Sequence, residues 1–161
     1  MKFGIALHME RQDRGTPYAT VAEILRLVSA MRGESPAAAA AALSRVGLDA
    51  HGRHSVRQLS AGQRRRVTLA AAMIGHTGTL VLDEPLETLD RAMRDVVLAW
   101  VGERRAAGSV VLVVTHEIEP FVAQADRVFS IRDGGVFGAR TMPSDDHERL
   151  QMVDRLARGV D

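Results

Sequence analysis

Two short apolar runs, Leu80–Leu82 and Val110–Thr115, flank a stretch whose apolar residues recur at helical spacing: Met93, Val96, Val97, Trp100 and Val101. A helix between two strands is the crossover that a parallel pair needs, because a tight turn cannot join parallel strands. Asp90 is placed to cap that helix and Gly108 to end it. A continuous apolar run such as Val110–Thr115 is expected to be buried on both faces. Residues 120–125 then read as helical and Val128–Ile131 as another strand. The expected order of strand, helix, strand, helix, strand points to an α/β fold with a parallel sheet. Val128–Ile131 and Val136–Phe137 also read as a hairpin turning at Asp133, Gly134 and Gly135.

The first third of the chain has a different character. Phe3–His8 reads as a short strand, followed by a loop through Arg11, Gln12, Asp13, Arg14, Gly15 and Pro17. From Thr20 the period turns helical, with Val21, Ile24, Leu25 and Val28 on one face and Gly33 as the stop. Ser35 and Pro36 open a second helix through the alanine run 37–42, which Gly47 ends. A third helix follows the break at Leu59–Gln63 and runs to about Gly75. The polar tail from Pro143 reads as a short surface helix with no recognisable chemistry. No internal repeat is found.

Composition excludes several classes. There is no cysteine, so disulfide frameworks and thiolate metal sites are out. The net charge of +1 gives no field toward nucleic acid, and no nucleic-acid partner is expected. No run approaches the apolar length of a membrane span, and Met1–Glu10 does not read as a secretory signal. The cytoplasm is the expected location.

Three motifs carry chemistry. Thr79–Pro85 is an apolar strand ending in Asp83 and Glu84. A carboxylate there can help to hold Mg²⁺ at nucleotide phosphates, and a second can polarise an attacking water. Leu59-Ser60-Ala61-Gly62-Gln63 opens a helix with a hydroxyl and bare backbone N–H groups, a setting that suits an anion. A serine cap on an arginine-rich helix explains Ser60 but gives no reason for Gly62 and Gln63. Val113–Glu117 puts His116 at a strand end, where an imidazole can reach a terminal phosphate. Each motif alone has an ordinary structural reading. Their order is harder to obtain by chance, with His116 about thirty residues after the Asp-Glu pair and that pair about twenty after Ser60.

This arrangement resembles the nucleotide-binding subunits of ABC transporters. Leu59–Gln63 looks like the signature motif, with Ala61 where glycine is commoner. Leu80–Glu84 looks like the Walker B strand, so Asp83 matches the magnesium-associated aspartate and Glu84 the catalytic glutamate. Leu89 and Asp90 look like the end of the D-loop, and His116 matches the switch histidine. Ala125–Val128 and Arg132–Gly135 resemble the segment that follows. The resemblance runs from about residue 3 to about residue 138 and implies a P-loop NTPase-like ABC ATPase core plus a helical subdomain. On this reading residues 1–161 form one domain, with the helical subdomain at about 15–60, the catalytic core at about 61–140 and a surface tail at 141–161. It further implies ATP and Mg²⁺ as ligands, a second ABC ATPase subunit and transmembrane permease subunits as partners, and a peripheral position on the inner face of the membrane.

The sequence departs from the family pattern in three places. Glu87 stands where the D-loop usually carries serine. The Q-loop position falls at Glu10, a residue type that some members carry there, with Gln12 as a second candidate. The 161 residues contain no Gly-x-x-x-x-Gly-Lys-Ser/Thr loop, and Lys2 is the only lysine. Such a loop supplies most phosphate contacts in these enzymes, so the chain alone is expected not to hold ATP in the usual way. Val110–Val114 is expected to be an unpaired apolar edge, and the isolated chain to be marginally stable. Three readings are ranked in order. The first is an ordinary transporter ATPase subunit read short. The second is a short subunit whose Ser60 and Gly62 complete a partner's ATP site. The third is a non-catalytic regulatory or docking module for membrane subunits.

Overall fold

The computed structural model describes residues 19–159. They divide into two compact units at Ile74/Gly75. The third helix therefore falls with the first two, and the division lies beyond the boundary near residue 60 expected from the motifs. The strand read at Phe3–His8 lies outside the described residues.

In the first unit, α1 (Val21–Met31), α2 (Pro36–Arg45) and α3 (Ala61–Met73) pack on one another. Thr20 opens α1 through a capping box: Glu23 Oε2 accepts from the Thr20 N–H at 2.7 Å, and Thr20 Oγ1 accepts from the Glu23 N–H at 3.3 Å. Val21, Leu25 and Val28 are buried, each worth about 1.5–3 kcal/mol of removed apolar surface. Gly33 ends the helix at φ +71°. α2 starts at Pro36 as expected, although the Ser35 side chain makes no capping bond. Arg32 Nη1 donates to Ala72 O at 3.2 Å, tying the end of α1 to the end of α3.

In the second unit, β1 (Thr79–Asp83) pairs in parallel with β2 (Val110–Val114), from Thr79 opposite Val110 to Asp83 opposite Val114. The 16-residue helix α4 (Arg91–Ala106) connects them and packs on β2 with Met93, Val97, Trp100 and Val101 buried. One face of the pair is covered, with Leu80 and Leu82 buried. The other carries Val81, Val110, Leu112 and Val114 at 47–67% exposure. The expectation that Val110–Thr115 is buried on both faces is thus wrong. A parallel pair buries two faces only when something covers each, and among the described residues only one face is covered. Among the described residues β2 pairs with β1 alone.

After the short α5 (Glu119–Val122), β3 (Arg127–Arg132) and β4 (Gly135–Thr141) form a separate antiparallel hairpin, so β3 does not extend the parallel sheet. Asp133 and Gly134 turn it with φ +49° and +76°, the pattern of a two-residue type I′ connection. The tail forms α6 (Asp146–Arg158), capped by Asp145, whose Oδ1 accepts from the N–H groups of His147 and Glu148 at 3.0 Å. It is more than a surface helix. Val153 and Leu156 are buried, and the Arg149 guanidinium donates to the carbonyls of Val122 at 2.9 Å and Pro143 at 2.8 Å.

Candidate functional site

The residues singled out by sequence fall into two groups, one in each unit. Glu10 and Gln12 lie outside the described residues.

In the first unit, Ser60 is the N-cap of α3. Its hydroxyl accepts from the Gln63 N–H at 3.2 Å, while Gln63 Oε1 accepts from the Ser60 N–H at 2.8 Å. Gln63 Nε2 also lies 2.8 Å from His51 Nε2. This capping box gives Gln63 the structural reason that a simple serine cap lacked. Gly62 has no such reason. A Cβ built on it meets nothing within 4 Å, so no packing demands glycine. Glycine within a helix costs roughly 0.5–1 kcal/mol relative to alanine. Its use at this exposed first turn leaves room for a group approaching from outside. The first N–H groups of α3 carry the positive end of the helix dipole, which favours an anion there.

In the second unit, β1 and β2 run in the same direction, and their C-terminal ends deliver Asp83, Glu84 and His116 to one edge. Asp83 is exposed at the last position of β1, and its carboxylate makes no hydrogen bond or ion pair with a described residue. Among the described residues no three His, Cys, Asp or Glu side chains converge as a metal cage. A single free carboxylate suits Mg²⁺, which commonly takes one or two carboxylates and fills its shell with phosphate oxygens and water. Asp83 thus fits that ion.

Glu84 has left the strand, at φ +41°, and its N–H donates to Val114 O at 2.8 Å. Its carboxylate binds the segment after β2 from both oxygens. Oε2 accepts from Thr115 Oγ1 at 2.8 Å; Oε1 accepts from the His116 N–H at 3.0 Å and lies 2.9 Å from His116 Nδ1. The bond to the His116 side chain, then that to Thr115, holds the Glu84 carboxyl below its ordinary range. The same bond, aided by the charges of Glu84, Glu117 and Glu87, raises His116. The histidine side chain is 81% exposed and that of Glu84 29%, so the imidazole faces solvent while its partner is half covered. Such a pair presents an ionised acceptor beside a donor, an arrangement that can serve acid–base chemistry.

Asp90 is the N-cap of α4, accepting from the Met93 N–H at 2.9 Å. The loop before it holds a second non-glycine residue at positive φ, Thr88 at +61°, which is costly for a β-branched side chain. Backbone strain of this kind concentrates at sites that move or bind.

Residues 4–87 match the family described as ABC transporter, just over half of the sequence. The chain belongs to the ABC transporter family. Among curated ABC relatives, the Fe(3+) ions import ATP-binding protein FbpC of Streptomyces coelicolor is 41% identical over 112 residues, which are 69% of this chain and 32% of that protein. The aliphatic sulfonates import ATP-binding protein SsuB of Escherichia coli K12 is 37% identical over 132 residues, 80% of this chain and 50% of that one. The chain therefore spans half or less of the length of these relatives. A solved structure described as the ATP binding subunit of an ABC transporter superposes with a TM-score of 0.75 at 23% identity, over 88% of this chain and 62% of that chain, a likeness of fold.

Sequence reasoning passed over Thr115, Glu117 and Arg94. Thr115 sits inside the motif that marked His116, but its hydroxyl was given no role. The ion pair of Arg94 with Glu117 joins residues 23 positions apart, and no local pattern signals it.

Proposed function

We propose that this chain supplies hydrolytic residues to one ATP site of an ABC transporter and a signature element to another, site by site with a second ATPase subunit, coupling ATP hydrolysis to transport through membrane subunits. The observation that carries the reading is the contact of Glu84 with both Thr115 and His116 across the ends of two parallel strands. In this reading Glu84 accepts a hydrogen bond from the attacking water and orients it. His116 presents a donor to the phosphoryl oxygens as charge develops on them. Asp83 holds Mg²⁺, which when bound neutralises phosphate charge. Ser60 and the N–H groups of Ala61 and Gly62 receive the phosphate of an ATP held by the second ATPase subunit. The lysine-bearing phosphate loop has to come from outside these 161 residues, from contiguous chain or from a partner.

The carrying and closing of the site by a second ATPase subunit, and its docking on permease subunits at the inner face of the membrane, belong to the same proposal. Among the described residues no helix is long and apolar enough to cross a membrane, in keeping with a domain that reaches the bilayer through partners.

A second reading is favoured by Gly62 alone: the chain completes a partner's site with Ser60 and Gly62 while its own carboxylates stay idle. ATPase measurements on the assembled transporter separate the two. Glu84→Gln and Ser60→Arg both abolish turnover if the chain hydrolyses ATP. Activity that survives Glu84→Gln but not Ser60→Arg leaves only the second reading.

A further inference from the structure

Packing cannot orient His116, because its side chain is 81% exposed. Its direction depends on the hydrogen bonds of the short segment that follows β2. That segment is held at two points. Thr115 Oγ1 donates to Glu84 Oε2 at 2.8 Å and accepts from the Glu117 N–H at 3.0 Å, so one hydroxyl fixes the backbone on either side of the histidine. The Glu117 carboxylate in turn receives the Arg94 guanidinium, from the first turn of α4, where the Arg94 N–H bonds Asp90 O at 3.0 Å.

We infer that Arg94 is a positioning residue for the hydrolytic pair, anchoring Glu117 so that the Thr115–Glu117 turn aims the His116 ring at Glu84. The inference rests on the proposed roles of Glu84 and His116 and adds a residue that touches neither. It also links Asp90, the cap of α4, to the histidine through a single helical turn. The geometry favours a specific anchor over general surface charge. The side chains of Arg94 and Glu117 are 29% and 41% exposed, partly withdrawn from the screening that weakens fully exposed pairs. Loss of Arg94 leaves Glu117 free to turn toward solvent and relaxes the bond its N–H makes to Thr115.

The test reads the His116 ring directly, by long-range ¹H–¹⁵N spectra of the chain at one fixed pH, with Glu84→Ala marking the ring freed from its partner. Arg94→Met is expected to move the Nδ1 signal most of the way to the Glu84→Ala position, and Arg94→Lys to restore it in part. A signal in folded Arg94→Met that stays at the wild-type position overturns the proposal. If Arg94→Met does not fold, Glu117→Gln decides by the same signal, since it keeps the shape and removes the charge. In the assembled transporter, Arg94→Met is expected to lower kcat roughly tenfold or more with KM for ATP unchanged, within the ~10²-fold that misplacing a reacting group can cost. Should Glu84→Gln leave turnover intact, the hydrolytic reading falls, while the ring signal still decides whether Arg94 positions His116.

Discussion

Ser60 and Gln63 satisfy each other at the start of α3, with bonds of 2.8 and 3.2 Å between each side chain and the other's backbone N–H. The glutamine is therefore committed to the helix, and the residue between them that lacks a structural purpose is Gly62. Gly62→Ala is expected to stabilise the first unit by about 0.5–1 kcal/mol, since a Cβ there meets open space and alanine is the better helix former. The same change should reduce ATP turnover of the assembled transporter if a phosphate approaches this backbone. Urea unfolding followed by circular dichroism, beside an ATPase assay, checks both halves. A variant neither more stable nor less active would remove the argument for a ligand at this turn.

Gln63→Ala should act in the opposite sense. It deletes the acceptor for the Ser60 N–H and the contact with His51, at a cost of about 1 kcal/mol, typical of a lost cap. Equal stability of this variant and wild type in urea would mean the box does not persist in solution.

The pairing of His116 with Glu84 sets a pH window. His116 is raised above its ordinary 6.5, chiefly by its hydrogen bond to Glu84. Its contribution to stability is full below pH 6.5 and fades as pH rises through the elevated value. Glu84 is depressed below its ordinary 4.5, so its contribution is full above pH 4.5 and fades as pH falls through the lowered value. The melting temperature of wild type should therefore exceed that of His116→Ala most between about pH 5 and 6.5 and converge with it in alkali. A difference constant from pH 5 to 9 would mean that the ring is not charged against Glu84.

What the sequence made legible follows from range. The Asp83-Glu84 strand end, the caps at Ser60 and Asp90, the start of a helix at Thr20, and the Asp133–Gly134 turn depend on neighbours three or four residues away, so composition and spacing reveal them. Family order marks Glu84 and His116 as separate site residues, but their contact with each other, that of Arg94 with Glu117, and that of Arg149 with the carbonyls after α5 depend on where the chain returns. The exposure of Val110, Leu112 and Val114 was misread for a related reason. Apolar character tells which faces gain from cover and leaves open whether the described chain supplies it.

The tail shows the same limit at one glycine. Gly138 stands at φ +88°, and a Cβ added there would lie 2.3 Å from Leu156 Cδ2, a buried side chain of α6. Gly138→Ala should combine backbone strain with that clash and cost roughly 2–3 kcal/mol, near the upper range of overpacking. Trp100 is the only tryptophan and is buried in the same unit, so its fluorescence reports the loss. A Gly138→Ala unfolding curve coincident with wild type would show that α6 does not rest on the hairpin.

The bare face of the β1–β2 pair gives the last contrast. Leu82 is 9% exposed and Leu112 47%, on opposite faces of two adjacent strands. Leu82→Ala opens a cavity and should cost about 2–5 kcal/mol. Leu112→Thr keeps a residue suited to a strand and should change stability by no more than about 0.5 kcal/mol. Their effects on association should be reversed. Val81, Val110, Leu112 and Val114 form an apolar patch beside a strand edge that pairs with nothing else among the described residues, and such a surface drives self-association of the isolated chain. Leu112→Thr should slow the rise of light scattering with concentration, whereas Leu82→Ala should hasten it by exposing more of the core. If Leu112→Thr destabilises as much as Leu82→Ala, this face is covered in solution, and the isolated chain is better packed than its exposed valines imply.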